Sequence, residues 1–289
     1  MLRRILLPAL LVSSVTAAAE EPAALAECDA HWARRAEGSS GGTAKREEID
    51  LALASCKKAE AAEPSSLEPR WRTMRALYFK GEYTTNDPEE KKRVFDEGKR
   101  EGEEALALIR KQASPKLKKP ADKATPVELV PALKGDVAAL RCFLWAAVDW
   151  GKWALAFGKS QAVKQGAAAK IRDYAAAAIQ LDPAFDDGGG YRVLGRLHHQ
   201  TPAVPFFTGW ASRKDALENL RLAMKVAPRH FINRLYLAEA FWDYEKERRA
   251  EAVQMLEALV ADTPSPEYAV EDRKTQEEAK ALLSTWKKR

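Results

Sequence analysis

The sequence predicts an all-α protein, a tetratricopeptide-like solenoid of helical hairpins with a C-terminal capping helix. Most segments carry apolar residues at three- and four-residue spacing, and the alternating pattern of strands is absent. A repeat also recurs after 36 residues, with the two clearest copies at Ala216, Leu220, Ala223, Pro228 and at Ala252, Leu256, Leu259, Pro264. Small residues let a partner helix approach and proline ends the helix, as in the second helix of a tetratricopeptide repeat.

Five hairpins and a cap account for nearly all of the chain after its N-terminus. The first helices are expected at about 22–37, 67–81, 136–158, 188–200 and 230–244. The second helices are expected at about 46–62, 87–112, 161–181, 211–226 and 246–261. A polar helix at about 267–287 would cover the exposed end of the solenoid.

The N-terminus predicts export. Two arginines precede a short apolar run at 5–12, and Ala17-Ala18-Ala19 supplies the small residues that signal peptidase reads. We therefore interpret 1–19 as a signal peptide and 20–289 as one helical domain, with an amphipathic first helix as the alternative. Glu27 stands before Cys28 where a lipoprotein signal needs a small residue. A soluble periplasmic protein is thus expected, with lipid anchoring as the alternative.

The cysteines fit an oxidising compartment. Cys28 and Cys56 lie on two predicted helices joined by a turn around 38–43, so antiparallel packing would bring them together as a disulfide. Cys142 lies in a tryptophan-rich apolar segment with no predicted base nearby. We expect it to be an inert, buried thiol.

The segment 112–135 interrupts the helical pattern. It contains four prolines among several lysines, so it cannot form a continuous helix. The pattern predicts a long basic loop with one short helical turn near 127–133. Either it is a solvated insertion or it is a contact arm for an acidic partner.

The residue types argue against an enzyme, a metalloprotein and a nucleic-acid-binding protein. The 47 basic residues nearly balance the 42 acidic ones, so phosphate attraction would not dominate. The chain has only four histidines and three cysteines, and the adjacent His198 and His199 cannot chelate one ion together on a helix. No nucleophile elbow and no phosphate-binding glycine loop is present. We expect no catalytic residues, no cofactor and no metal.

Two segments are candidates for ligand binding. The aromatic residues of 140–157 do not fall on one stripe, so this helix either packs in the core or lines a groove for an apolar ligand. The glycine run 188–190 before Tyr191 either permits a tight turn or lets backbone N–H groups approach an anion that an arginine would pair. The candidate ligand residues are Trp145, Trp150, Trp153, Tyr191, Arg192 and His198.

Four segments occur in order at a family-like spacing: Ala146-Ala-Val-Asp-Trp150-Gly151, Leu181-Asp-Pro183, Gly189-Gly-Tyr-Arg-Val-Leu-Gly195 and Asn233-Arg-Leu-Tyr-Leu-Ala-Glu239. Over about 136–245 the chain resembles the T-component family of tripartite ATP-independent periplasmic (TRAP) transporters. The resemblance implies a periplasmic accessory subunit that binds a substrate-binding partner protein. It also implies homo-oligomers and clefts open to a small hydrophobic ligand. A general tetratricopeptide scaffold for envelope assembly is the alternative.

Overall fold

The computed structural model describes residues 23–201 and 209–288, so the predicted signal peptide at 1–19 lies outside the described residues. The described ranges contain helices and turns and no β-strand, which confirms the all-α class. No helix in them is both long enough and apolar enough to cross a bilayer. The helices are α1 (Ala23–Ala33), α2 (Glu47–Ala62), α3 (Glu68–Tyr83), α4 (Pro88–Ala113), α5 (Pro126–Leu129), α6 (Val137–Phe157), α7 (Lys159–Lys164), α8 (Ala167–Leu181), α9 (Phe185–Gln200), α10 (Arg213–Val226), α11 (Phe231–Tyr244), α12 (Arg249–Ala261) and α13 (Ala269–Trp286).

Successive helices pack as hairpins, which confirms the tetratricopeptide-like solenoid. The pairs are α1 with α2, α3 with α4, α6 with α8, α9 with α10, and α11 with α12. Each first helix also packs against the first helix of the next hairpin, from α1 through α3, α6, α9 and α11 to α13. In a curved helical solenoid such a row lines one side of the molecule. We call the side formed by α1, α3, α6, α9, α11 and α13 the inner face.

Short polar side chains fix where several helices begin. Asp87, Asp136 and Ser212 accept backbone hydrogen bonds at the starts of α4, α6 and α10. These caps satisfy N–H groups that the first helical turn leaves without an intrahelical partner. They also fix the residue at which each helix begins, and so which side chains lie on the inner face.

Two predicted helices differ from the observed ones. The helix expected at 161–181 is interrupted at Gly166, whose φ of +64° separates α7 from α8. The start of α9 is kinked because Asp186, Asp187 and Gly188 all have positive φ. Glycine adopts this region freely, whereas aspartate does so at a cost in free energy. The surrounding contacts must therefore hold the two aspartates in place.

The lysine- and proline-rich segment is only partly solvated. Its expected helical turn is present as α5 and the following 3₁₀ turn Val130–Leu133. The expectation of a solvated insertion is wrong for this part, because Ala124 and Leu129 are fully buried in the central core. Arg110 donates hydrogen bonds to the carbonyl of Ala124 and so ties the segment to α4.

The first hairpin contains a disulfide between Cys28 of α1 and Cys56 of α2, whose Cα atoms are 5.2 Å apart. Both sulfur-bearing residues are buried where the two helices pack together. Cys142 is a free, buried thiol on α6, and burial raises its pKa well above the usual range.

The capping helix α13 contacts both ends of the solenoid. Towards the C-terminal hairpin, Trp286 stacks on Trp242 with the ring centroids 4.3 Å apart. Towards the N-terminal hairpins, Val270 is fully buried in the core that α2 and α3 form. Arg35, just after α1, forms an ion pair with Glu271 at 2.8 Å. The helix therefore does more than the predicted cap, because it closes the solenoid on itself.

Glu82 forms the ion pairs that join α3 to α13 and to α6. Its carboxylate lies 2.9 Å from the ammonium of Lys274 on α13 and 2.7 Å from that of Lys152 on α6. Burial disfavours the charged carboxylate, but the two lysines outweigh burial and lower the pKa of Glu82 to about 2. One carboxylate on α3 thus binds three helices together.

Reducing the Cys28–Cys56 disulfide should lower the free energy of unfolding by about 3–4 kcal/mol, because the bond restricts the unfolded chain. Urea denaturation with and without reductant measures the difference. The Cys142→Ala variant is the control and should lose the same amount on reduction. An unchanged denaturation midpoint after complete reduction would contradict the prediction.

Changing Glu82→Gln should lower the free energy of unfolding by roughly 2–3 kcal/mol at pH 7, since two lysines lose their charged partner. A carboxylate with a lowered pKa stabilises the fold above the pKa of the unfolded chain and ceases to do so as the pH falls through its folded value. The difference between wild type and variant should therefore shrink from about pH 5 to pH 2.

Urea denaturation across this pH range tests the prediction. The matched control is Glu89→Gln, because Glu89 forms an exposed pair with Lys92 on α4 and should change stability by less than about 0.5 kcal/mol. If Glu82→Gln lowers the free energy of unfolding by the same amount at every pH, the prediction is contradicted.

Candidate functional site

The inner face is built from matching stripes on α3 and α6. Residues 71, 75, 78 and 82 of α3 recur at helical spacing, and 141, 145 and 152 of α6 lie opposite. Side chains that are three or four residues apart share one face of a helix. The resulting contacts are Arg141 over the Trp71 ring at 4.6 Å, Tyr78 against Trp145 at 5.6 Å, and Glu82 with Lys152 at 2.7 Å.

A second set of cross-helix pairs joins α9 to α11. Arg196 binds Glu239 at 2.7 Å, and its guanidinium lies over the ring of Tyr236 at 4.1 Å. One turn further, His199 contacts Asp243 at 2.9 Å. The inner face is therefore a row of cationic, acidic and aromatic side chains rather than an apolar groove.

Trp150 and Trp153 do not line this face. Trp150 is 0% exposed and Trp153 is buried in the same core. Trp153 stacks on Phe157 with the centroids 4.8 Å apart and donates a hydrogen bond to Asp96. The expected ligand role of these two tryptophans is corrected to core packing, because α4 and α8 cover them on either side of α6. Trp145 alone of the three is half-buried and reaches the inner face beside Tyr78.

Arg192 is bound by other residues of the same chain. Its guanidinium binds the carboxylate of Asp186, donates to the backbone carbonyls of Asp186 and Asp187, and donates to the amide oxygen of Asn233 at 3.1 Å. Asn233 in turn donates to the carbonyls of Asp187 and Ala223. These contacts hold the two aspartates in the left-handed region. The anion expected at Arg192 is corrected to the carboxylate of Asp186.

His198 has a structural role in α9. Its Nδ1 atom accepts a hydrogen bond from the backbone N–H of Ser212, and its ring lies edge-on to Trp210 at 5.1 Å. Burial lowers the pKa of His198, so the neutral ring is favoured. Tyr191 is half-buried on α9. The structure therefore does not gather the six predicted ligand residues into one cleft.

Arginines surround two tryptophans at the start of the inner face. The Arg75 guanidinium lies 3.9 Å from the Trp32 ring centroid and 4.7 Å from that of Trp71. Arg72 and Arg141 also contact Trp71, at 4.3 and 4.6 Å. We call these five residues the Arg–Trp cluster.

Burial and the neighbouring positive charges lower the pKa of Arg75 to about 9, although Asp29 acts in the opposite direction. Sequence reasoning missed this cluster. The available signal was the repeated helical spacing of arginine and aromatic residues along α3.

No group of histidine, cysteine, aspartate or glutamate side chains within 23–201 and 209–288 has the arrangement of a metal site. The ionisable side chains described above are arranged for cross-helix pairing. What the inner face offers chemically is recognition by charge and by aromatic contact.

No family model and no curated protein matches the sequence. Among solved structures, the TPR2AB domain of yeast Sti1, in a complex with pHSP90, is similar to this chain at 12% sequence identity. The alignment covers 90% of this chain and 96% of that chain, with a TM-score of 0.31. The functional inferences therefore depend on the contacts within this chain.

Changing Trp150→Ala should lower the free energy of unfolding by about 3–5 kcal/mol, because it leaves a large cavity in the core. Trp145→Ala should lower it clearly less, since Trp145 is half-buried on the inner face. Urea denaturation of both variants gives the comparison. Equal losses in the two variants would contradict the assignment of Trp150 to the core and Trp145 to the inner face.

Proposed function

We propose that the protein is an exported accessory subunit of a TRAP-type solute uptake system, and that its inner face binds the substrate-binding partner protein. A helical-hairpin solenoid is a scaffold for protein–protein interaction, because its inner face offers an extended binding surface. The TRAP assignment is the more specific step. It depends on the ordered segments that resemble the T-component family.

The observation that carries the proposal is the way these segments meet. Arg192, from the third and glycine-rich segment, donates a hydrogen bond to Asn233, which begins the last segment. That last segment also supplies Tyr236 and Glu239, both of which pair with Arg196 on the inner face. The last two segments thus meet at Arg192 and Asn233, and the last one supplies Tyr236 and Glu239 to the proposed binding surface.

The first segment, at 146–151 of α6, packs closely against α4. Asp149 of α6 lies so close to Gly98 of α4 that a Cβ atom there would approach its carboxyl carbon to 2.7 Å. Ala146 approaches Gly102 in the same way, at 2.9 Å. This close packing of α4 on α6 fixes the direction in which Trp145 points on the inner face.

Two features support an exported protein. The pattern at 1–19 is that of a secretory signal peptide. The Cys28–Cys56 disulfide is a bond that persists in oxidising compartments such as the periplasm. We accordingly propose a periplasmic location.

Binding of a TRAP substrate-binding protein from the same organism tests the proposal. Isothermal titration calorimetry, with the mature protein in the sample cell and the purified partner as the titrant, should show saturable binding. Tyr236→Ala should weaken it at least tenfold (about 1.4 kcal/mol), because aromatic residues within interfaces commonly contribute that much or more.

The control is Leu51→Ala, since Leu51 is exposed on α2, away from the inner face. It should bind as the wild type does. No saturable binding would contradict the TRAP assignment. Equal binding by the wild type and Tyr236→Ala would contradict the use of the inner face while leaving the assignment itself standing.

A further inference from the structure

The arginines of the Arg–Trp cluster differ in how closely their guanidinium nitrogens approach acidic side chains. Asp29 receives short hydrogen bonds of 2.7–2.9 Å from Arg72. The same carboxylate lies 3.5 Å from the nearest nitrogen of Arg75, at the limit of a hydrogen bond. Arg141 is likewise 3.8 Å from Glu68, which is closely bound by Arg72. Arg75 and Arg141 therefore keep donors that the described residues leave weakly engaged.

These two arginines contact the same tryptophan, and both side chains are partly exposed to solvent. Both contact the Trp71 ring, at 4.7 and 4.6 Å from its centroid. The exposed fraction is 17% for the Arg75 side chain and 32% for that of Arg141.

An aromatic pair follows one helical turn along the same stripes. Tyr78 is three residues after Arg75, and Trp145 is four residues after Arg141. The two rings are 5.6 Å apart, and both side chains are half-buried. A ligand that is anionic at one end and apolar beyond it would therefore meet guanidinium donors first and aromatic surface next.

We propose that Arg75 and Arg141 bind the carboxylate of a small organic acid whose apolar body packs against Tyr78 and Trp145. This site goes beyond the proposed function, because it requires the protein alone and no partner. It also differs from the sequence-based expectation, in which Arg192 would hold the charge. Arg192 is already paired with Asp186, whereas among the described acidic side chains Arg75 makes only a long contact, with the shared Asp29.

The geometry also explains why an anion would be held firmly there. The Arg75 guanidinium is stacked against Trp32 and Trp71, so few rotamers are open to it. A partly buried guanidinium interacts more strongly with an anion than an exposed one, because less water screens the pair. The positive charges of Arg72 and Arg35 that disfavour ionised Arg75 would favour a bound carboxylate.

Side-chain ¹⁵N NMR of the full mature protein tests the site, with phenylacetate as the probe and phenylacetamide as its neutral counterpart. The Arg75 Nε–H resonance, assigned by its loss in Arg75→Lys, should shift saturably with phenylacetate. Phenylacetamide should bind at least tenfold more weakly, because it lacks the charge. Arg75→Gln and Arg141→Gln should each weaken phenylacetate binding by a similar factor.

Arg100→Gln is the matched control, because Arg100 is 63% exposed on α4, and it should bind phenylacetate as the wild type does. If Arg75→Gln does not fold, Arg141→Gln carries the test. The proposal is wrong if phenylacetamide binds as tightly as phenylacetate, or if neither charge variant weakens binding. It is also wrong if phenylacetate gives no saturable shift up to about 50 mM. Phosphate binding as tight as phenylacetate binding would contradict the role of the aromatic pair.

Discussion

The contact of α13 with both ends of the solenoid is the constraint on which the rest of the structure depends. Helical-hairpin repeats normally touch only their sequence neighbours. Here Lys274 of α13 reaches Glu82 on α3, and Trp286 stacks on Trp242 of α11. The first and last hairpins are therefore held at a fixed separation, and the side chains between them are partly shielded from water. That shielding makes the charges of the inner face strong interactions instead of screened ones.

The buried ionisable side chains differ in how many polar partners surround them. Glu82 and Arg192 are each surrounded by several groups of opposite charge or dipole, and these hold separate helices together. Asp149 is fully buried, and within 23–201 and 209–288 neither of its carboxyl oxygens has a hydrogen-bond partner. Burial, followed by the nearby Glu101, raises the pKa of Asp149 well above its usual range. Arg75 lies between these cases, because it keeps its charge and has an incomplete set of acceptors.

The candidate site was harder to predict than the fold. Trp145, Trp150 and Trp153 lie on one helix, and helical spacing alone does not tell which of them a second helix will cover. Arg192 follows a glycine run, which suggested an anion site, but the neighbouring Asp186 folds back and supplies the anion from the chain. The pairing of Tyr78 with Trp145 and of Arg141 with Trp71 joins residues far apart in sequence. Only the packing of α3 against α6 brings them together.

The sequence by itself determined the helices, their pairing into hairpins and the cysteines that could meet, because these follow from local periodicity, helix-ending prolines and short connections. It also determined the polar character of α13. The tertiary structure decided that α13 closes the solenoid, that Gly166 separates two helices, and that Ala124 and Leu129 are buried. It decided as well which charged side chains face each other across the inner face. The physical reason is that these contacts join distant parts of the chain, and their geometry depends on the accumulated curvature of all the hairpins between them.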